Sequence, residues 1–189
     1  WLGQAFVLDP EDTGMLSQLI DLVQETGEWQ TLVTILLDAV ARVTNDDLRV
    51  DLWHRAARVL EVELQDREQA EDIYRRILTV DEANEEALKA LDAIYCALGR
   101  HDALEGILRR EIDVQQFDDD KVELLSRLAE LYRDRLDRWD DAVQAYRDIL
   151  DLHDNHRPTL LALAEIYDTR EEFSPLFEAF QALSDTAES

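Results

Sequence analysis

The segment from residue 129 to residue 152, AELYRDRLDRWDDAVQAYRDILDL, concentrates side chains that could do chemistry. It holds carboxylates, guanidinium groups, two tyrosines and a tryptophan within 24 positions. Paired carboxylates can act as a general acid and a general base. The chain contains 44 Asp and Glu residues, however, so two neighbouring carboxylates say little about catalysis. Whether this segment is a site or a packing pattern depends on what the rest of the chain repeats.

Two histidines and one cysteine are the other candidates for chemistry. His153 and His156 stand in the sequence HDNH, but no third ligand is recognisable for a zinc site. Their position between two predicted helices favours roles in a turn and a helix cap. Cys96 is the single cysteine, which excludes an internal disulfide and a cysteine zinc site. With no partner histidine or helix start beside it, Cys96 is not expected to be a reactive thiol, and we expect no metal and no cofactor.

Signatures of enzymes are missing from the sequence as well. The five glycines form no phosphate-binding loop; they stand at positions 3, 14, 27, 99 and 106. No serine lies in a nucleophile elbow. We therefore predict that the protein is not an enzyme.

The net charge of −25 restricts the partners. Such a field repels DNA, RNA and anionic lipid surfaces, so we expect neither nucleic-acid nor membrane binding. It favours a basic partner, although an acidic, solvated surface without a partner would look the same.

No apolar run approaches the roughly 20 residues of a membrane span. The single cysteine is compatible with a reducing compartment, and a cytoplasmic location is favoured.

The residue pattern repeats with a period of 72 positions. Ala57 matches Ala129, and Tyr74 matches Tyr146. The apolar register extends through three copies: Leu16, Leu88 and Leu160; Leu19, Leu91 and Leu163; Leu32, Leu104 and Leu176. The charged residues between these positions mostly differ from copy to copy. Because the apolar positions repeat and the charged positions do not, the tyrosines and the tryptophan of the segment 129–152 are predicted to be core residues.

Each period of 72 divides into two helix hairpins. Apolar residues recur at the spacing i, i+3, i+4, i+7 of an amphipathic helix, and short polar joints separate consecutive stripes. Such short joints require neighbouring helices to run antiparallel. The sequence predicts an all-α protein of about eleven helices: a helix remnant at 1–7 and hairpins at about 12–42, 47–79, 84–115, 118–151 and 156–184. Stacked hairpins would form a single α-solenoid over residues 1–189, as a segment of a longer array.

Capping residues agree with these boundaries. Gly27 and Gly99 stand where helices should end, and Pro158 falls in a first helical turn. Residues suited to cap helix starts are Asn84, Asp46 or Asp47, and one of the aspartates 118 to 120.

The packing positions of these hairpins resemble those of tetratricopeptide repeats over nearly the whole chain. The fourth hairpin has Leu128-Ala129 and Tyr132 in its first helix, then Ala142 and Tyr146 in its second. The second hairpin repeats this pattern with Ala56-Ala57, Leu60, Ala70 and Tyr74. Leu8-Asp9-Pro10 is similar to the joint that closes such a repeat. The resemblance implies a right-handed α-solenoid whose first helices line a concave, protein-binding face.

Projected onto this sequence, the resemblance places five basic residues along the concave face: Arg55, Arg58, Lys89, Arg127 and Arg133. Guanidinium groups could hold carboxylates of a peptide in a bidentate way. Alternatively, these residues pair with nearby Asp and Glu on the helix surface. The asparagines of the carboxylate clamp known in some tetratricopeptide domains are missing, so that specificity is not transferred.

Two functions remain open from the sequence. One is an interaction scaffold that binds a peptide or helix of a partner protein in its groove. The other is a structural spacer or regulatory segment within a larger multidomain protein. The resemblance favours the scaffold.

The ends of the array are expected to expose Phe6, Phe177 and Phe180, which would permit end-to-end association. The sequence does not determine the oligomeric state.

Overall fold

The computed structural model describes residues 1–185, and within this range the chain is built from helices without a β-strand. In chain order the helices are α1 (Leu2–Leu8), α2 (Thr13–Thr26), α3 (Trp29–Val40), α4 (Asp46–Val62), α5 (Arg67–Val80), α6 (Glu85–Leu98), α7 (His101–Val114), α8 (Asp118–Asp134), α9 (Trp139–Leu152), α10 (Arg157–Thr169) and α11 (Phe173–Asp185). The predicted all-α fold with eleven helices is confirmed for the described residues.

The helices group into two compact units, Trp1–Ile94 and Tyr95–Ser189, with the boundary inside α6. In the first unit α1 packs on α2 and α3, α3 packs on α4, and α4 pairs with α5. In the second unit α7 packs on α8, α8 pairs with α9, and α10 packs on both α9 and α11. Four of the predicted hairpins are thus packed helix pairs, α2–α3, α4–α5, α8–α9 and α10–α11, and the predicted hairpin 84–115 spans α6 and α7. That all residues form one continuous array stays a prediction.

Small residues let the paired helices approach closely. Ala57 and Ala70 are fully buried in the α4–α5 pair, as are Ala129 and Ala142 at the matching positions of the α8–α9 pair. Larger residues at these sites would force the two helix axes apart.

The predicted core role holds for both tyrosines of the segment 129–152 and fails for its tryptophan. Tyr132 and Tyr146 are buried. Trp139 is only half-buried, because it is the first residue of α9, and its indole N–H donates to Asp137 Oδ1 at 2.6 Å.

The predicted helix caps are partly wrong. Asn45, not Asp46 or Asp47, caps α4 by accepting from the Leu48 N–H at 3.2 Å. Phe117 occupies the capping position of α8, so the aspartates 118 to 120 lie in its first turn, where they complement the positive end of the helix dipole. Asn84 accepts from the Ala87 N–H at 3.0 Å as predicted, and Pro158 lies in the first turn of α10.

Backbone conformation follows the 72-residue period at the joints. Gly27 and Gly99 both have positive φ, at +74° and +64°, and the third copy places Glu171 at φ +58°. A second pair of joints repeats in the same way, with Gln65 and Asp137 both at φ +52°. The first two glycines adopt this left-handed conformation without steric cost, whereas the Cβ of Glu171 makes it unfavourable.

Replacing Glu171 by glycine is therefore expected to stabilise the second unit. Relief of the left-handed strain should raise the free energy of unfolding by about 1 kcal/mol, less the entropy that glycine adds to the unfolded chain. Urea unfolding followed by circular dichroism measures the change. Glu171→Ala removes the same charge but keeps a Cβ, so it should give no gain; an equal gain from both variants would rule out backbone strain as the cause.

The apolar residues expected at the ends of the chain behave differently from one another. Phe6 is fully buried, because α1 packs on α2 and α3, so the expectation of an exposed Phe6 is wrong. Phe177 and Phe180 on α11 are exposed as predicted. No helix within residues 1–185 is both long and apolar enough to cross a membrane.

Candidate peptide-binding cleft

A cleft of about 300 Å³ lies in the first unit between α2 and α4, over α3. Its lining combines apolar side chains with the predicted Arg55 and Arg58: Leu16, Ile20, Gln24, Trp29, Leu32, Leu36, Arg55, Arg58, Val59, Val62 and Glu63. Two of the five predicted basic residues therefore border one concave surface. The volume is at the small end of ligand pockets, enough for a few side chains of a peptide.

Helical periodicity explains why this surface is apolar at its base. Leu16 and Ile20 stand four positions apart on α2, and Val59 and Val62 stand three apart on α4. Each pair therefore projects from one side of its helix. Leu32 and Leu36 of α3 are buried beneath them. Val62 is largely exposed, so apolar surface remains available at the cleft.

The two arginines of the cleft are each paired with a carboxylate. Arg55 Nε donates to Asp51 Oδ2 at 2.8 Å, one helical turn away on α4. Arg58 Nη2 donates to Glu86 Oε1 at 3.3 Å, which links α4 to the start of α6. This is the alternative of surface pairing that the sequence left open. Both pairs are substantially exposed, and such pairs contribute only about 0.2–1 kcal/mol, so another carboxylate can replace the partner at little cost.

The other three predicted residues lie elsewhere. Lys89 is on α6, where Nζ lies 3.3 Å from Glu85 Oε2. Arg127 and Arg133 are on α8 in the second unit. Arg127 Nη2 lies 3.8 Å from Cys96 Sγ. Arg133 Nε donates to Asp134 Oδ1 at 2.6 Å.

The Arg133–Asp134 hydrogen bond changes the acidity of both groups. It is the main cause of a raised pKa for Arg133 and of a lowered pKa for Asp134. The side chain of Arg133 is also less exposed than those of Arg55 and Arg58, so it is less accessible to a peptide.

A polar contact that the sequence did not indicate joins α4 to the loop before α6. His54 Nε2 lies 3.0 Å from Asn84 Oδ1, and the His54 ring is tilted against the Tyr74 ring with centroids 6.1 Å apart. Tyr74 donates its hydroxyl proton to Glu61 Oε2 at 2.8 Å. Burial, reinforced by this hydrogen bond, raises the pKa of Tyr74 above its ordinary value. These contacts fix α4 and thereby the orientation of the cleft.

The charged residues around Tyr132 form a structural network. The Tyr132 hydroxyl donates to Glu105 Oε1 at 2.8 Å and accepts from Arg109 Nη2 at 2.7 Å. Arg138 Nη1 donates to Glu105 Oε2 at 2.7 Å, and its guanidinium lies 4.7 Å from the centroid of the Tyr132 ring. Burial is the main cause of a raised pKa for Tyr132. The network thus joins α7, α8 and the joint before α9.

The two histidines of HDNH occupy the turn positions predicted for them. His153 directly follows the last residue of α9, and its Nε2 lies 3.3 Å from Asp119 Oδ1. His156 precedes α10, and its Nδ1 lies 2.8 Å from Thr159 Oγ1. Within residues 1–185 no group of three or more His, Cys, Asp or Glu side chains is arranged to hold a metal ion.

A larger cavity of about 630 Å³ lies among α1, α2 and α3. Its lining is mainly apolar, including Leu2, Val7, Leu19 and Ile35, and Arg42 is the one basic residue among the lining side chains described. The α2–α4 cleft differs from this cavity in being bordered by two guanidinium groups, which can hold the carboxylate of a bound peptide in a defined orientation.

Comparison with known proteins identifies the repeat. The model of the tetratricopeptide repeat family matches residues 124–158, which contain most of α8 and all of α9. The comparison with curated proteins gives no match.

Solved structures of similar fold cover most of the chain. A crystal structure of MamA has a TM-score of 0.52 at 14% identity, covering 89% of this chain and 94% of that one. A second, that of MamA AMB-1, gives 0.53 at 18% identity, with 88% and 87% covered. A putative kinesin light chain of Podosopora anserina with nearly identical TPR-like repeats gives 0.50 at 15%, with 90% and 92% covered. At these identities the likeness concerns the fold alone. Residues 124–158 thus match the model of the tetratricopeptide repeat, and the described part of the chain shares the all-α fold of these solved structures.

Proposed function

We propose that the protein is an interaction scaffold that binds a peptide segment of a partner protein in the α2–α4 cleft. An apolar side chain of the peptide enters between Ile20 and Val62, and a neighbouring carboxylate pairs with Arg55 and Arg58. The observation that carries this proposal is the placement of two exposed guanidinium groups beside an apolar floor in one concave surface.

The fold and the chemistry of the cleft support this function. A tetratricopeptide fold favours a non-enzymatic protein-interaction scaffold in general. Apolar clefts with a few convergent polar groups are typical of binding sites. Arginine holds a carboxylate through two parallel hydrogen bonds, which orients a peptide that is otherwise bound by apolar contacts.

Selection of peptides from a random display library on the immobilised protein tests the proposal. Enriched peptides are expected to carry Asp or Glu close to Leu, Ile or Phe. Charge reversal in the variant Arg55→Glu/Arg58→Glu should weaken their binding at least about tenfold, since a charge-assisted hydrogen bond contributes about 1.5–3 kcal/mol. Fluorescence anisotropy with labelled peptides measures the dissociation constants.

A matched control distinguishes the loss of the cleft arginines from a change in the net charge of the whole protein. Arg67→Glu/Arg76→Glu makes the same change in net charge on α5, outside the set of described residues that line the cleft, and both arginines are exposed. The control should bind the peptides almost as the unaltered protein does. Equal losses in both variants, or no loss in either, would remove the cleft assignment and favour a structural spacer.

A further inference from the structure

The α2–α4 cleft contains a carboxylate that the proposed function does not use. Glu63 directly follows the last residue of α4 and lines the cleft together with Val59 and Val62. Its side chain is exposed and makes no hydrogen bond or ion pair within residues 1–185. The two arginines of the cleft differ in this respect, since each of them is paired with a carboxylate. Glu63 therefore carries an uncompensated negative charge at the cleft.

The helix directions place the two kinds of charge at opposite ends of the cleft. Short joints at residues 27–28 and 41–45 connect α2 to α3 and α3 to α4, so each helix runs antiparallel to the one before it. Helices α2 and α4 therefore run in the same direction, and both end on the side where α3 begins. Glu63 and Trp29, the first residue of α3, lie at this end of the cleft, whereas Arg55 lies about two turns before the end of α4.

The group that suits the Glu63 end is a cationic side chain. The carboxylate of Glu63 attracts an ammonium or guanidinium group, and the half-buried Trp29 lines the same end. The face of an indole ring also attracts such a cation. Ile20 and Val59 lie between the two ends along their helices and supply an apolar surface. The cleft is thus complementary to a segment with opposite charges on either side of an apolar residue.

The separation of the charges matches an extended peptide. Positions 55 and 63 of α4 are about 12 Å apart at a helical rise of about 1.5 Å per residue. An extended chain advances about 3.3 Å per residue and turns alternate side chains to the same side, so residues i, i+2 and i+4 face the cleft and span about 13 Å. A helix about 10 Å wide and about 12 Å long fills about 900 Å³, which is far more than the cleft volume of about 300 Å³.

Helix packing does not dictate the order of these charges. On α8, 72 residues later, Glu130 stands at the position of Arg58 and Arg135 stands at the position of Glu63. Both charges are reversed, yet α8 packs on α7 and pairs with α9 as α4 packs on α3 and pairs with α5. Charges at these two positions can therefore be exchanged without loss of the fold.

We propose that the α2–α4 cleft selects an extended segment of a partner protein with Asp or Glu at position i, a large apolar residue at i+2 and Lys or Arg at i+4. The acidic residue pairs with Arg55 and Arg58, and the basic residue pairs with Glu63 beside Trp29. This inference rests on the proposed function, and it adds the basic residue, the spacing and the extended conformation of the bound segment.

A synthetic peptide with this pattern tests the inference on the full chain. The probe is fluorescein-labelled Gly-Asp-Ala-Leu-Ala-Lys-Gly with a C-terminal amide, and fluorescence anisotropy measures its dissociation constant. We expect saturable binding that Glu63→Lys weakens at least about fivefold, because the substitution turns an attraction into a repulsion. A second peptide, with Glu in place of Lys, should bind Glu63→Lys at least about fivefold more tightly than it binds the unaltered protein.

Two controls separate the charge of Glu63 and the spacing of the motif from general effects. Asp72→Lys makes the same change in net charge at an exposed residue of α5, outside the described lining of the cleft, and should change each affinity less than about twofold. The peptide Gly-Asp-Leu-Ala-Ala-Lys-Gly has the same composition as the probe, but its leucine at i+1 faces away from the cleft. It should bind at least about fivefold more weakly than the probe.

The outcomes distinguish this inference from the proposed function on which it rests. Weaker binding of the probe in Arg55→Glu/Arg58→Glu, together with unchanged binding in Glu63→Lys, would overturn the basic position and leave the proposed function standing. Equal changes in Glu63→Lys and Asp72→Lys, or equal affinities for the two peptides of the same composition, would overturn the inference as well. Binding that none of these variants alters would remove the cleft itself as the peptide site, and a probe that does not bind would overturn the motif.

Discussion

Replacing Tyr132 by alanine is expected to destabilise the second unit by about 3–5 kcal/mol, the range found for removing a large buried aromatic side chain. Tyr132 is only 2% exposed, and its ring packs where α7, α8 and the joint before α9 meet. Its loss leaves a cavity and removes the hydroxyl that Arg109 and Glu105 share. Both effects reduce the free energy of unfolding, because the rigid helices can fill the space only in part.

Urea unfolding followed by circular dichroism measures this loss, and Tyr132→Phe separates its two causes. The phenylalanine keeps the ring, and Glu105 retains Arg138 at 2.7 Å and Arg109 at 3.2 Å. We therefore expect Tyr132→Phe to cost only about 1 kcal/mol. If the phenylalanine variant were as unstable as the alanine variant, the hydrogen bonds rather than the packing would hold this region together.

Alkaline pH is expected to unfold the protein through its buried tyrosines. Burial is the main cause of a raised pKa for Tyr74, Tyr132 and Tyr146 relative to the ordinary value of 10.0. Above pH 10 the unfolded chain releases these phenolic protons while the folded protein retains them. The folded state then binds more protons than the unfolded state, so the free energy of unfolding falls as the pH rises.

The expected slope is large. A proton that the folded protein retains and the unfolded chain releases contributes at most about 1.4 kcal/mol per pH unit, and Tyr74, whose pKa is raised most strongly, contributes the largest share of the slope above pH 10. Below pH 10 this contribution is fully present. A titration that records tyrosinate absorbance and helical circular dichroism together should show both changing in one transition. Tyr74→Phe should reduce the slope more than Tyr132→Phe or Tyr146→Phe does. Ordinary ionisation at pH 10 in a protein that keeps its helices would contradict the burial argument.

The helices could be predicted from the sequence because the apolar packing positions recur every 72 residues, whereas the charged positions mostly do not. The matched positions Ala57 and Ala129 are fully buried, as are Ala70 and Ala142, since each must admit a neighbouring helix. The helix ends were less predictable, because several adjacent residues can serve as a cap. Asn45 stands beside Asp46 and Asp47, and only the backbone geometry decides which side chain reaches the free N–H groups.

The cleft and the Tyr132 network were beyond prediction for a different reason. Arg55 and Arg58 could be placed on an exposed helix face, but the apolar floor beside them depends on the gap between α2 and α4, which no local pattern encodes. Glu105 and Arg109 stand four residues apart, a spacing typical of an ion pair on one helix. Both residues also contact the hydroxyl of Tyr132, which lies on the next helix, α8. This contact depends on how α7 and α8 pack, so it could be recognised only in the structure.

The repeating residue pattern does not predict the burial of every residue, as Trp139 shows. It lies in the segment of the densest packing pattern, yet it begins α9, where the chain leaves the joint, and its indole binds Asp137 at the surface of that joint. A residue at a helix start is covered by fewer neighbours than one in the middle of the helix.

The most direct test of the account is hydrogen–deuterium exchange of the backbone amides with and without a peptide selected on the protein. Binding between α2 and α4 predicts slower exchange in these two helices, with α8 and α9 unchanged, because a ligand suppresses the local opening of the elements that it contacts. Protection confined to the second unit, or to α5, would contradict the central claim that the apolar cleft bordered by Arg55 and Arg58 is where this protein recognises its partner.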